Sequence, residues 1–156
     1  MRYLFLIIMA VALVGCASTP LFNPNNKDHS VIEEAIRKAI AKPTGELTKA
    51  DLKKVERLNL EYKNITDIGP VRALTNLYFL NISGMRLTDD QLQHLSGLTN
   101  LDLLALDGNP DLTGANLNEL ADLKKLRTLV LHGTKITEAD VATLKKALPK
   151  CRIIHF

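Results

Sequence analysis

Aliphatic residues recur along the chain in the spacing L-x-x-L-x-L, which appears in four segments separated by mostly polar stretches. The segments begin at Val55, Leu77, Leu101 and Leu126, so that successive starts lie 22, 24 and 25 residues apart. In L-x-L the two aliphatic side chains point to one side of a short strand, and the side chain between them points to the other. One strand per repeat, stacked on its neighbours, predicts a solenoid with a parallel sheet along one surface.

The segment that leads back from each strand begins with an aliphatic residue and a threonine. These pairs are Leu47-Thr48, Ile65-Thr66, Leu87-Thr88, Leu112-Thr113 and Ile136-Thr137. Three of the threonines (48, 88 and 137) have a capping-box partner three residues later, at Asp51, Gln91 and Asp140, and a capping box starts a helix. We therefore expect short helices at about 49–54, 89–96, 115–122 and 138–147. The segment after Thr66 carries Gly69-Pro70 and should not form a regular helix.

A helix is also predicted before the first repeat. Ser30 and Glu33 form a capping box, and apolar residues recur at three- and four-residue spacing from Ile32 to Ile40. Pro43 ends this pattern. A helix with one apolar face at this place would cover the core of the first repeat, which is otherwise open to water.

The chain closes on CRIIHF, which we interpret as a truncated fifth repeat with core positions at Cys151, Ile154 and Phe156. The predicted domain therefore spans residues 30–156. It divides into an N-terminal cap (30–54), the repeats (55–148) and a partial C-terminal repeat (149–156).

The first fifteen residues have the form of an export signal, with Arg2 followed by an apolar stretch at residues 3–13. The next residues, Leu13-Val14-Gly15-Cys16, resemble the bacterial lipobox. That resemblance implies a signal peptide at 1–15, a lipid on the Cys16 sulfur and attachment to a membrane. By analogy with Gram-negative lipoproteins, Ala17 points to the outer membrane. The alternative is an ordinary secretory signal with a chance cysteine. Residues 16–29 are rich in Pro and Asn and predict a flexible tether.

Composition narrows the function. The 156 residues suffice for one domain, and only 4% are aromatic, so the core must be aliphatic. The net charge of +3 is too small to indicate nucleic-acid binding. No Cys/His group has metal-ligand spacing, and no G-x-S-x-G, H-E-x-x-H or phosphate-binding glycine loop occurs. We therefore expect no enzyme activity, no cofactor, no metal and no small-molecule substrate.

From the N-terminal helix onward the chain resembles bacterial leucine-rich-repeat proteins of the internalin-like and lipoprotein kind. The resemblance lies in the repeats and in the AIRKAI-KPTGELTKADL segment before them. It implies an α/β solenoid with the sheet on the concave face and short helices or turns on the convex face. One feature departs from the family: its asparagine after the strand is in register only at Asn109, whereas Lys63, Met85 and Thr134 occupy the equivalent places.

The resemblance also implies that the concave face binds a protein, or less favourably a glycan. Three rows of side chains should point outward there. They are Arg57, Phe79, Leu103, Thr128 and Ile153, then Asn59, Asn81, Ala105, Val130 and His155, then Glu61, Ser83, Asp107 and His132. An apolar patch within these rows can mark a partner site, or neighbouring side chains can cover one another. The candidate partner-binding residues are Phe79, Asn81, Leu103, Ala105, Asp107, Thr128, Val130, His132 and Ile153.

These observations favour a lipid-anchored interaction module at the bacterial envelope. Two alternatives stay open: a structural envelope lipoprotein without a high-affinity partner, and a non-catalytic accessory subunit of an envelope enzyme. Cys151 has no partner for an internal disulfide if Cys16 carries lipid. We expect Cys151 to be a small buried apolar residue, with a reactive thiol as the alternative.

Overall fold

The computed structural model describes residues 21–155. The predicted leader, the predicted lipidation site Cys16 and the core position assigned to Phe156 lie outside the described residues. Five strands form one parallel sheet in chain order: β1 (Arg57–Asn59), β2 (Phe79–Asn81), β3 (Leu103–Ala105), β4 (Thr128–Val130) and β5 (Arg152–Ile154). The α/β leucine-rich-repeat solenoid expected from the sequence is confirmed.

The 3₁₀ helices and the last α-helix lie on the opposite surface, whereas the first α-helix packs against β1 and covers the first repeat. The α-helices are α1 (Lys27–Ala39), α2 (Lys49–Leu52) and α3 (Glu138–Ala147), and the 3₁₀ helices span Gly69–Ala73, Asp89–His94 and Leu117–Leu120. Between the two layers lies an aliphatic core to which every repeat contributes, with Leu80, Leu104 and Leu129 fully buried. Within residues 21–155 no helix has the length and apolar character needed to cross a membrane.

The first and the last return segments of the solenoid follow the sequence prediction, and the segments between them depart from it. Thr48 with Asp51 and Thr137 with Asp140 form the predicted capping boxes of α2 and α3. Thr88 makes no such bond, and Gln91 instead accepts a hydrogen bond from the Ile68 backbone N–H at 3.0 Å. The helices predicted at 89–96 and 115–122 are shorter than expected and are 3₁₀ helices, at Asp89–His94 and Leu117–Leu120.

Carboxylates from the preceding element hold two of the remaining threonines. Asp28 of α1 accepts from the backbone N–H of Thr66 at 2.8 Å and from its hydroxyl at 3.1 Å. Asp89 accepts in the same way from the hydroxyl of Thr113 at 2.6 Å and from the Gly114 N–H at 3.0 Å. Each carboxylate therefore ties one unit of the solenoid to the next.

The N-terminal helix begins earlier than predicted. Asn26, not Ser30, is its N-cap, and the Asn26 side chain accepts from the backbone N–H groups of Asp28 and His29. Leu21 and Phe22 pack partly against the core. The tether predicted for 16–29 is therefore wrong for residues 21–29, which belong to the folded cap; residues 16–20 lie outside the described part. Ile32 and Ile36 are fully buried, as expected for a helix that covers the first repeat.

The last strand has a different register from the predicted one. Arg152, Ile153 and Ile154 pair with Thr128, Leu129 and Val130. In the preceding repeat the first two core positions, Leu126 and Leu129, are three residues apart. In the last repeat the buried Cys151 is followed by a core position only two residues later, at Ile153 and not at the predicted Ile154. In a strand, a shift of one residue exchanges the two faces. The assignment of Ile153 to the concave face is consequently wrong.

Candidate functional site

The concave face carries three rows of side chains that run across the sheet. The strand-start row is Arg57, Phe79, Leu103, Thr128 and Arg152, and the middle row is Asn59, Asn81, Ala105, Val130 and Ile154. The turn row, just past the strands, is Glu61, Ser83, Asp107 and His132. Eight of the nine predicted partner-binding residues lie in these rows, and Ile153 does not. Arg152 takes the place predicted for Ile153 in the strand-start row, and Ile154 takes the place predicted for His155 in the middle row.

His155 lies one place past β5, and its side chain points away from the predicted row. Its ring Nε2 lies 2.6 Å from the carbonyl oxygen of Ile136. This contact ties the last strand to the turn of the preceding repeat. His155 therefore has a structural contact where the sequence suggested a surface position.

An apolar band crosses the centre of the concave face. It consists of Phe79, Leu103, Ala105, Val130 and Ile154. Ala105 is only 8% exposed, whereas the other four are half-buried. Neighbouring side chains thus cover part of the band, and part still meets water. The interpretation that neighbouring side chains cover one another is therefore confirmed for part of the band, and the partner site stays a prediction for the part that meets water.

Arg57 stacks on the aromatic end of the apolar band. Its guanidinium carbon lies 4.1 Å from the centroid of the Phe79 ring and 5.5 Å from that of Tyr78. The Arg57 Nη1 also donates to the Tyr78 hydroxyl at 3.3 Å. These contacts hold a positive charge over the face of the Phe79 ring. Because Arg152 occupies the same row on β5, an arginine stands at each end of the strand-start row.

The turn row is polar and internally bonded. The Ser83 hydroxyl donates to Asp107 Oδ1 at 2.5 Å, and Asn81 Nδ2 donates to Glu61 Oε2 at 3.3 Å. Asn81 also accepts from the Ser83 backbone N–H at 3.0 Å. Ser83 is only 1% exposed, so its hydroxyl group is bonded within the chain and not to solvent. Asp107 is therefore paired with Ser83 rather than with His132, which is exposed.

Tyr62, which is not among the predicted partner-binding residues, extends the surface at its N-terminal end. It is 73% exposed and has a backbone φ of 54°. Gly84, Gly108 and Gly133 hold the equivalent places in the later repeats, all with positive φ. The aligned repeats contain the signal, because Tyr62 stands where the other three copies have glycine. A tyrosine kept in a conformation that favours glycine is a candidate contact residue.

Neither a protein-family model nor a curated protein matches the sequence, but solved structures do. An internalin from Listeria monocytogenes matches with a TM-score of 0.65 and 26% identity, over 80% of this chain and 35% of its own. A leucine-rich-repeat protein from Leptospira interrogans matches with a TM-score of 0.56 and 27% identity, over 70% of this chain and 28% of its own. This chain is similar to internalin-type leucine-rich-repeat proteins and shares their fold.

A third structure, the functional domain of InlJ from Listeria monocytogenes, has the same fold. Its TM-score is 0.60 at 22% identity, over 83% of this chain and 28% of its own. The internalin-like chain thus spans about a third of the length of these proteins. Leucine-rich-repeat proteins of this type are typically interaction modules that bind other proteins and carry no catalytic site of their own.

His29, His94 and Cys151 of the internalin-like protein are titratable side chains whose surroundings bear on possible chemistry. No group of three His, Cys, Asp or Glu residues within 21–155 could hold a metal ion. His29 pairs with Asp67 at 3.0 Å between α1 and the first repeat, and burial lowers the pKa of His94. Cys151 is a buried free thiol, and burial raises its pKa. A thiol that stays protonated is a poor nucleophile, so Cys151 is the buried core residue expected from its place in the repeat.

Proposed function

We propose that this internalin-like protein is a lipid-anchored envelope protein that binds a protein partner through its concave face. The apolar band is the observation that carries the proposal. Phe79, Leu103, Val130 and Ile154 are half-buried side chains on a surface that faces solvent, and a contiguous apolar patch of this kind often marks a protein interface. The polar turn row is already hydrogen-bonded within the chain, so it can line the rim of an interface without unpaired groups.

The charges around the apolar band restrict the partner. Arg57 and Arg152 stand at the two ends of the strand-start row, and Glu61 and Asp107 lie along the turn row. A matching protein segment would present apolar side chains at its centre, acidic groups toward the two arginines and basic groups toward the turn row. Arginine and aromatic residues carry much of the binding energy of protein interfaces, and the stacked Arg57 and Phe79 are placed to do so.

Crosslinking in the cell tests this proposal. A photoreactive amino acid at Thr128, in the middle of the strand-start row, should give one discrete adduct with a protein. Adding Phe79→Asp and Leu103→Asp should abolish that adduct, because each places a charge in the apolar band. The same photoreactive residue at the exposed Asn118, on the opposite surface, is the matched control. If the adduct persists in the double variant, or appears equally from position 118, the concave face is not the partner site. That outcome would favour the alternative, a structural envelope lipoprotein without a high-affinity partner.

The anchor has a separate test. We expect Cys16→Ser to abolish incorporation of labelled fatty acid and to leave the precursor uncleaved by the lipoprotein pathway. The reason is that lipid transfer requires the thiolate, for which a serine hydroxyl is a weak substitute. Cys151→Ser is the control and should be labelled like the parent chain. Unchanged labelling of the Cys16→Ser chain would overturn the proposed anchor while leaving the concave-face proposal intact.

A further inference from the structure

The end of the solenoid at β5 presents a strand edge without a neighbour in the described part of the chain. Arg152 N–H donates to the Arg127 carbonyl at 2.8 Å, and the Ile154 carbonyl accepts from Leu131 N–H at 2.8 Å. Both residues therefore direct their backbone groups toward β4. The intervening Ile153 directs its N–H and C=O to the opposite side, where no residue within 21–155 bonds to them. Such an edge is a template for one more strand.

Helix α3 adds a stripe of four side chains beside this edge. The stripe lies on one face of the helix, because its members are three or four residues apart along the chain. It consists of Glu138, Val141, Ala142 and Lys145. Together with Ile153 and His155 they line a groove of about 360 Å³. Val141 and Ile153 pack partly against the core, and Glu138 and Ala142 are exposed. Lys145 Nζ donates to the Cys151 carbonyl oxygen, which keeps its charge close to β5.

We propose that this end face, formed by the α3 stripe and the β5 edge, binds the same face of a second copy of the chain. A two-fold axis would bring the two β5 strands together antiparallel, with Ile153 opposite Ile153 of the second copy. Two residues opposed in this way exchange both N–H···O bonds. The pairing would satisfy the outward backbone groups of Ile153 in both copies.

The order of residues along α3 favours a second copy of this chain, and not an unrelated protein, as the partner of the end face. A two-fold interface must be complementary to itself. With the α3 helices antiparallel, Glu138 of each copy faces Lys145 of the other, and Val141 and Ala142 meet at the centre. An acid, two apolar residues and a base in that order meet the requirement of this symmetry. A partner of different sequence would impose no such order.

The pairing would join two five-stranded sheets edge to edge. Arg152 of each copy would then lie beside Ile154 of the other, so that the apolar bands of both concave faces meet at the axis. Two partner sites on one particle raise the overall affinity for a repeated or dimeric target. The self-association itself does not depend on the proposed function, since it uses the end face and not the concave face.

Charge reversal on the full chain, purified in detergent, tests the pairing by light scattering. We expect the parent chain to be a dimer, and Glu138→Lys or Lys145→Glu alone to be monomeric at the same concentration, because each creates two like-charge contacts. The double variant Glu138→Lys, Lys145→Glu should be dimeric again. Lys146→Glu, the same charge change on the same helix outside the stripe, should stay dimeric. A monomeric parent, or a double variant that folds and stays monomeric, overturns the proposal.

Disulfide trapping in the cell identifies the face independently of the charges. Ala142→Cys lies near the axis, so it should form a disulfide-linked dimer that disappears on reduction. The adjacent Thr143→Cys lies on another side of α3, where Thr143 lines the groove toward Leu117 and Asn118, and should give no such dimer. Trapping at position 143 and not at 142 would show that copies associate through a different surface.

Discussion

Asn109→Ala should lower the free energy of unfolding by about 3 kcal/mol or more, the largest loss expected from any single polar side chain of the domain. Asn109 is completely buried. Its Nδ2 donates to the carbonyl oxygens of Leu106 at 2.8 Å and Ile82 at 3.0 Å, and its Oδ1 accepts from the Leu87 N–H at 3.2 Å. Removing the amide leaves three buried backbone groups without partners, and each such group costs about 1–3 kcal/mol.

Chemical denaturation measures this loss, and Asn118→Ala is the matched control. Asn118 is exposed on the opposite surface, so its truncation should change stability by less than about 0.5 kcal/mol. Hydrogen exchange adds a local readout, since the Leu87 amide should lose protection in Asn109→Ala. Equal stabilities of the two variants would mean that the Asn109 bonds contribute nothing net, and that the turn is held by packing alone.

The expected effect of Asn109 is large because the other repeats hold their turns differently. Thr134 donates its hydroxyl to the Leu131 carbonyl at 2.8 Å, and the equivalent Met85 is a buried apolar side chain. Only the Asn109 amide reaches the preceding repeat, through Ile82 and Leu87. The bonds of Asn109 therefore join the second repeat to the third, at the middle of the array.

Gly108→Ala should lower the free energy of unfolding by about 2 kcal/mol, because it combines a backbone penalty with crowding. Gly108 has a φ of 66°, a conformation that side chains disfavour. A Cβ at this position would lie 3.3 Å from both the Cα and the N of Gly84 in the preceding repeat. Backbone atoms cannot rotate away as a side chain can, so the stacked turns would have to separate.

Gly97→Ala is the control for Gly108→Ala. A Cβ at Gly97 would have no atom within 4 Å, and its φ does not lie in the left-handed region. Thermal unfolding should therefore show a clear decrease in melting temperature for Gly108→Ala and little change for Gly97→Ala. Similar decreases for both would indicate that the loss comes from a general effect of replacing glycine, and would refute the close stacking of the turns.

The position of Tyr62 agrees with this account of the glycines. It is the first member of the row that continues through Gly84, Gly108 and Gly133, and no earlier repeat precedes it. A Cβ on Gly84 would lie 2.0 Å from the Tyr62 ring, so the ring covers Gly84. The one non-glycine in the row thus stands at its end, where stacking does not require glycine.

The fold of this protein, the phase of its repeats and most of the side chains on its concave face could be predicted from the amino-acid sequence. This was possible because L-x-L spacing fixes which side chain of a strand is buried, and because each repeat can bury its aliphatic residues only against its neighbours. Eight of the nine predicted surface residues follow from that rule alone. The capping boxes at Thr48 and Thr137 could also be predicted from the sequence, since the two partners of each box lie within one helical turn.

The remaining features could not be predicted, because they depend on contacts between parts of the chain that are distant in sequence. Asp28 accepts a hydrogen bond from Thr66, 38 residues away in sequence, and Asp89 accepts one from Thr113, 24 residues away. No local sequence pattern predicts such pairs. The start of α1 at Lys27 depends on Asn26, which also donates to Asp67 at 2.8 Å. The register of β5 was set by pairing with β4 rather than by its own pattern. In CRIIHF either isoleucine suits the core, and only the bonds to Arg127 and Leu131 select Ile153.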